Sequence, residues 1–215
     1  MDMIKVEKVS KSFSGRKVLD QVSLSVKKGS ICGLIGRNGS GKTVLMKCIC
    51  GFLIPEEGTI ALRGKAVSSQ NTVVENMGII LETPGFIEQE TAFHNLFYLA
   101  KINGFIGKKE VKNALKKVDL NPDDQKKVKK YSMGMRQRLG IAQAIMEDPD
   151  ILLLDEPMNS LDEQGVILMR KLFLQLKQNG KTILLASHDM DDIHCLCDTV
   201  YQMTDGNLNR GNKKY

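Results

Sequence analysis

The chain has 215 residues, 42% of them hydrophobic, enough for one large α/β domain or two small ones with a proper core. Its net charge of +6 admits an anionic partner, either nucleic acid or a membrane face, while aromatics at 5% and the absence of Trp argue against base-stacking platforms. No run approaches the ~18 apolar residues of a membrane span, Met1-Asp2-Met3-Ile4-Lys5 lacks an apolar signal region, and an odd count of five cysteines points to reduced thiols in a cytosolic protein.

Residues 4–28 alternate in two blocks, 4–9 and 18–26, as two antiparallel strands with one wet face do. Ser14-Gly15-Arg16-Lys17 supplies the turn, and Phe13 stands just before it. Next come a short apolar run, residues 31–35, and then Gly36-Arg37-Asn38-Gly39-Ser40-Gly41-Lys42-Thr43. These eight residues fit the phosphate-cradling P-loop pattern G-x-x-x-x-G-K-[ST]. The run before them reads as a buried strand, and residues 44–49 after them read as a helix start. A Gly-rich turn there turns its N–H groups inward on phosphate oxygens, and the helix dipole adds positive charge. Lys42 can reach the β- and γ-phosphates, and the Thr43 hydroxyl can ligate Mg²⁺. The bland alternative, an accidental Gly-rich turn, lacks a reason for the flanking strand and helix.

Residues 58–62 read as another strand, and residues 77–81 as a buried strand ending at Glu82, before a Thr83-Pro84-Gly85 turn. The character then changes. Ala92, Phe93, Leu96, Phe97 and Ala100 lie at helical spacing, as do Val111, Ala114, Leu115 and Val118 in a Lys-rich segment that Asn121-Pro122 stops. The lysines (Lys108, Lys109, Lys112, Lys116, Lys117, Lys126, Lys127, Lys129, Lys130) read first as a solvated face, then as a surface near anionic lipid, and last as a nucleic-acid contact. Ser132 is an N-cap candidate for an apolar helix at 139–145. Gly134, one turn in, is poor helix chemistry, costing up to ~1 kcal/mol against Ala. A close approach, for instance by a phosphate, would explain it.

Residues 151–154 are four apolar residues followed by Asp155 and Glu156. A buried strand there carries both acids to the sheet's edge, beside the P-loop strand. Asp155 can hold Mg²⁺ and Glu156 can act as general base on a water. A helix follows at 165–176, a buried strand at 182–186, a helix near 189–196 and a last strand at 199–203. Buried strands alternating with helices predict a mainly parallel sheet. The tail, residues 207–215, is polar and is expected to fray. His194-Cys195-Leu196-Cys197 has no second pair at zinc-finger spacing, so buried thiols explain the cysteines better than a metal clip.

In this order the motifs resemble those of the nucleotide-binding subunit of an ATP-binding cassette (ABC) transporter, over nearly the whole chain. Gly36 to Thr43 resembles Walker A, residues 131–135 stand where the family carries LSGGQ, and residues 151–156 resemble Walker B with its catalytic Glu. Asn159-Ser160-Leu161-Asp162 resembles the D-loop, His188 takes the switch-histidine place, and Phe13 the place of the aromatic that stacks on adenine. The resemblance implies a P-loop α/β fold with a mainly parallel core sheet, an antiparallel N-terminal β edge and a helical signature subdomain. The core would take 1–83 and 147–206, and the subdomain 84–146. It also implies an ATPase using ATP and Mg²⁺, the metal held by Thr43, Asp155 and Glu82. Two copies, or this chain and a paralogue, would sandwich ATP, with Ser132 and Gly134 of one meeting the γ-phosphate held by the other.

Partners on this reading are a membrane-spanning permease and the second ATPase subunit, with no nucleic acid expected, on the inner face of the cell membrane. Three departures stand out. The signature reads Tyr-Ser-Met-Gly-Met, the Q-loop position holds Glu82, and Met158 follows the Walker B proline. Glu-Thr-Pro-Gly-Phe with a Ser-x-Gly-Met signature resembles the bacitracin and lantibiotic-type export branch. A nucleic-acid-linked ABC ATPase remains the alternative, although the chain has no long coiled coil and a single cassette. A P-loop GTPase or small-molecule kinase is the second, although no N-K-x-D motif appears.

Overall fold

The computed structural model describes residues 1–67, 75–81 and 85–211. It opens with β1 (Asp2–Phe13), β2 (Arg16–Lys27), β3 (Ile31–Ile35), α1 (Lys42–Ile49), β4 (Glu57–Leu62), β5 (Lys65–Ala66) and β6 (Met77–Ile80). Three helices follow: α2 (Ala92–Asn103), α3 (Lys108–Lys117) and α4 (Met133–Ile145). The rest alternates β7 (Ile151–Asp155), α5 (Glu163–Gln178), β8 (Thr182–Ala186), α6 (Met190–Leu196), β9 (Thr199–Thr204) and β10 (Asn207–Gly211).

The strands form two sheets. β1 and β2 pair antiparallel, Ile4 opposite Val26 and Val6 opposite Leu24, and β4 and β5 extend them in the order β2-β1-β4-β5. The antiparallel edge is thus a sheet of its own. The second sheet runs β10-β9-β3-β8-β7-β6, parallel throughout except for the β9–β10 pair. Bonds from Asp20 N to Gly206 O, 2.9 Å, and from Ser25 N to the Tyr201 hydroxyl, 3.3 Å, tie the two sheets together.

The parallel strands are apolar throughout because both faces are covered. In β7, Leu152 and Leu154 face one cluster with Leu96, Leu115, Leu139, Ile141, Phe173 and Leu176. Ile151 and Leu153 face the other, with Leu45, Met46 and Ile49 of α1 and Ile4, Val6 and Leu24 of the antiparallel sheet. So α1, which starts at the P-loop, shares one buried cluster with residues of both sheets. In α3, Val111, Ala114 and Leu115 are buried, while Lys108, Lys109, Lys116 and Lys117 lie in solvent, as expected of a solvated face.

Two expectations are corrected. Residues 207–211 do not fray: they form β10, with Asn207 opposite Thr204 and Arg210 opposite Tyr201, while 212–215 lie outside the described residues. Asp205 and Gly206 sit at φ 47° and 80°, the positive-φ geometry of a two-residue Asp-Gly hairpin turn, and that turn recruits a polar segment to the sheet's edge. The strand carrying the two acids is not beside the P-loop strand either. β8 lies between them, with Leu34 paired to Ala186 and Ala186 to Asp155. Strand order in a parallel sheet is set by where the crossover helices pack, which no local sequence signal records.

Burial pushes the Cys32 and Cys48 thiols up to about 11 from the usual 9.0. Their folded values exceed the unfolded ones, so the folded chain keeps protons that the unfolded chain loses, and stability falls as pH rises from about 9 through 11. Each thiol contributes on the order of 2 kcal/mol to that fall. Urea unfolding at rising pH should therefore decline less steeply in Cys32→Ala/Cys48→Ala than in the parent chain. Equal declines would show that these thiols are not desolvated.

Candidate functional site

The site lies where three neighbouring parallel strands end. β3 runs into the P-loop, β7 delivers Asp155 and Glu156, and β8 delivers Ser187 and His188. The carboxyl ends of parallel strands are where an open α/β sheet presents its backbone and loops to a ligand. A cleft of about 600 Å³ opens there. One wall is Asn38, Gly39, Lys42 and Thr43, and its floor is Asp155 and Glu156. The facing wall is Met133, Arg136 and Gln137 of α4, with Asn159 and Ser160.

The loop itself is tightly built. A Cβ on Gly36 would lie 2.4 Å from Met203 O and 2.7 Å from Ser40 Oγ, so no side chain fits there. Arg37, Asn38 and Gly39 are exposed at the crest, and Gly41 is the N-cap of α1. Lys42 is only 6% exposed and folds back along the loop, its Nζ donating to Gly36 O at 2.6 Å and Arg37 O at 3.3 Å. Ser40 Oγ is buried and finds no hydrogen-bond partner among the described residues. Lys42 and the N-terminus of α1 both line the cleft, a combination that suits a polyanion.

Thr43 Oγ1 donates to Asp155 Oδ2 at 2.5 Å, bridging α1 and β7. Burial raises the Asp155 carboxyl above its usual range, against the Thr43 hydrogen bond, which lowers it. Hard oxygen donors side by side, with few other protein ligands, fit Mg²⁺, which keeps waters and phosphate oxygens in its shell. Among the described residues no group of three His, Cys, Asp or Glu could hold a metal by itself.

Glu156 is the next residue, and its backbone is left-handed at φ 50°, a strained conformation for a residue with a side chain. Its Oε2 lies 2.9 Å from His188 Nδ1, and its Oε1 is buried without a partner among the described residues. The His188 ring is mostly exposed, with 62% of its side chain in solvent. A carboxylate that lines the cleft and is anchored at one oxygen is a group chemically able to accept a proton.

Other sequence candidates lie apart. Ser132 caps α4, its hydroxyl accepting from Met135 N at 3.2 Å, and it does not line the cleft of its own chain. Gly134 does meet a close approach, but from within the chain: a Cβ there would stand 2.9 Å from Ser160 O. Phe13 is 43% exposed at the end of β1, with Lys11 Nζ 5.6 Å from its ring centre, and it is not among the cleft's lining residues. Val18 of β2 lines the cleft instead. Glu82 lies outside the described residues.

Two groups escaped the sequence reading. Gln137 donates from Nε2 to Pro157 O at 2.9 Å and Glu156 O at 3.3 Å. Asp192, 3% exposed, accepts from Arg170 Nε at 2.7 Å and faces Ser187 Oγ at 3.4 Å, behind His188. The available signals were a Gln on an apolar helix and a second Asp in the turn after Asp191.

The family model described as "ABC transporter" matches residues 19–159. An uncharacterized ABC transporter ATP-binding protein of Bacillus subtilis (strain 168), YybJ, is 41% identical over 98% of this chain and 97% of its own length. The bacitracin transport ATP-binding protein BcrA of Enterococcus faecalis is 40% identical over 96% of this chain and 68% of its length. The lantibiotic transport ATP-binding protein SrtF of Streptococcus pyogenes is 32% identical over 96% and 89%. A solved ATP-binding subunit of an ABC transporter superposes with a TM-score of 0.87 at 25% identity, covering 98% of this chain and 90% of that one.

Proposed function

Because the chain belongs to the ABC transporter family, as an ATP-hydrolysing ATP-binding subunit, we propose that it is the motor of an exporter whose membrane-spanning permease is a separate polypeptide. The observation that supports its hydrolytic role is the pairing at the strand ends: Thr43 with Asp155 beside the P-loop, and His188 with Glu156 at the ends of the neighbouring strands β8 and β7. The loop N–H groups and Lys42 bind the phosphates of ATP, and Phe13 stacks on the adenine. Thr43 and Asp155, with Glu82, hold Mg²⁺. The ion, when bound, neutralises charge on the β- and γ-phosphate oxygens. Glu156 takes the proton from the attacking water, and His188 fixes that carboxylate and the γ-phosphate.

Ser132 does not line the cleft of its own chain. Ser132 caps α4 on an exposed surface with Met133, which is 72% exposed. A second copy, or a paralogous subunit, supplies its own Ser132 and Gly134 to close the site, so two ATP molecules lie between two chains. The exposed Tyr98, Ile102 and Phe105 on and after α2 offer an apolar surface to the permease. Docking there places the chain in the cytoplasm, peripheral on the inner face of the membrane. Among the described residues no helix is long and apolar enough to cross one. The relatives named for bacitracin and lantibiotic transport support a peptide antibiotic or other drug-like cargo, moved outward.

Ser132→Arg tests the sandwich. An arginine there fills the space a facing γ-phosphate needs. Hydrolysis should fall to background while the isolated chain still binds ATP. If dilute monomer hydrolyses ATP at full rate without concentration dependence, the composite site is wrong. Co-purification of a membrane protein with the tagged chain identifies the permease.

A further inference from the structure

Glu156 is held chiefly through its backbone. Among the described residues its side chain has one hydrogen-bond partner, a mostly exposed His188, so the direction of the carboxylate follows the left-handed main chain. Ser160 is left-handed too, at φ 67°. The stretch between them has few bonds of its own: Glu156 N to Ala186 O at 2.9 Å, Asn159 N to Glu156 O at 3.2 Å and Leu161 N to Met158 O at 3.3 Å. Such a segment keeps a strained shape only if its surroundings impose it.

The surroundings are the first two turns of α4. Gly134 lets the helix come against Ser160 O, where a Cβ would stand 2.9 Å away. Gln137 Nε2 reaches Pro157 O at 2.9 Å and Glu156 O at 3.3 Å. Arg138 donates to Asp162 Oδ1 at 3.3 Å and to Asp119 Oδ2 at 3.0 Å. The Arg138 pairs involve exposed carboxylates and hold weakly. The Gln137 amide is half-buried in the cleft wall and spans the peptide that follows Glu156, where its two bonds fix direction.

We propose that Gln137 is a positioning residue that fastens the start of α4 to the main chain of Glu156, so that the carboxylate is aimed only while α4 is seated. The proposal rests on the reading of Glu156 as general base. It gives the chain an internal link: a contact at Ser132, the cap of the same helix, is felt at the Glu156 carboxylate about one turn and a side chain away.

The test is a cycle on the full chain, reading ATP turnover and the affinity for a fluorescent ATP analogue. Gln137→Met, which keeps the length and removes the donor, should lower kcat about 10-fold to 10²-fold while KM and affinity stay within about 2-fold. Gln137→Lys, whose Nζ can donate to Pro157 O, should recover most of the loss. In a Glu156→Gln background Gln137→Met should cost nothing further. If the Met variant melts early, Gln137→Leu, which is shorter, uncharged and also lacks the donor, carries the same expectation.

A normal kcat in Gln137→Met, or an equal loss in both backgrounds, overturns the proposal while leaving Glu156 as base. Near-normal turnover in Glu156→Gln alone overturns the base assignment and the proposal with it.

Discussion

Glu156→Gln leaves ATP binding close to its original strength and slows turnover by about 10²-fold or more. The substitution keeps the shape of the side chain, so the amide can still meet His188 Nδ1, now 2.9 Å from Oε2. It removes the ability to accept a proton, the role proposed for this carboxylate of the cleft. Binding should be spared because the phosphate contacts are proposed to belong to the loop and Lys42 and not to the Glu156 side chain. The left-handed backbone at Glu156 is as costly for Gln as for Glu, so the melting temperature should hardly move. Single-turnover hydrolysis with a parallel nucleotide titration separates the two effects. Turnover near the parent rate would remove Glu156 as the base.

What the sequence revealed, and what it hid, divides along a physical line. A P-loop is a local object: eight residues specify a turn, and the strand and helix on either side are β3 and α1. An N-cap is local too, and Ser132 caps α4 as its chemistry predicts, with the helix starting six residues before its apolar run. The reason for Gly134 is not local. The helix needed a small residue because Ser160 O presses on it, from a loop that returns only after β7. Neither is the placing of β8 between β3 and β7, which follows from how α5 and α6 cross the sheet. Gln137 looked like one polar residue on a helix, since its partners are main-chain carbonyls, which carry no sequence signature. For residues 207–211 the opposite holds: their polar composition predicts fraying, but the Asp205-Gly206 turn folds them back onto β9 as β10.

Lys42→Met should separate function from stability most sharply. Lys42 is 6% exposed, and its hydrogen bonds from Nζ go to two neutral carbonyls, Gly36 O at 2.6 Å and Arg37 O at 3.3 Å. Desolvating a charge for such partners costs nearly what the bonds return, so the folded chain gains little from Lys42. Methionine keeps the stem and removes that desolvation, at the expense of two loop carbonyls that must find water. The unfolding free energy without nucleotide should therefore change by only about 1 kcal/mol in either direction. ATP affinity is another matter. Charge-assisted bonds to phosphate oxygens are strong, and no neighbouring cation on the loop wall can replace Lys42 from the same position. Affinity should fall about 10²-fold or more, and turnover should drop below about 1% of the parent, because the stabilising charge on the transferred phosphoryl group is lost. Chemical denaturation and nucleotide titration of one preparation measure both. A variant that binds ATP with unchanged affinity would mean that the loop N–H groups hold the phosphates without Lys42. A variant that unfolds several kcal/mol early would mean that the ammonium's bonds to Gly36 and Arg37 brace the loop as well as serving the ligand.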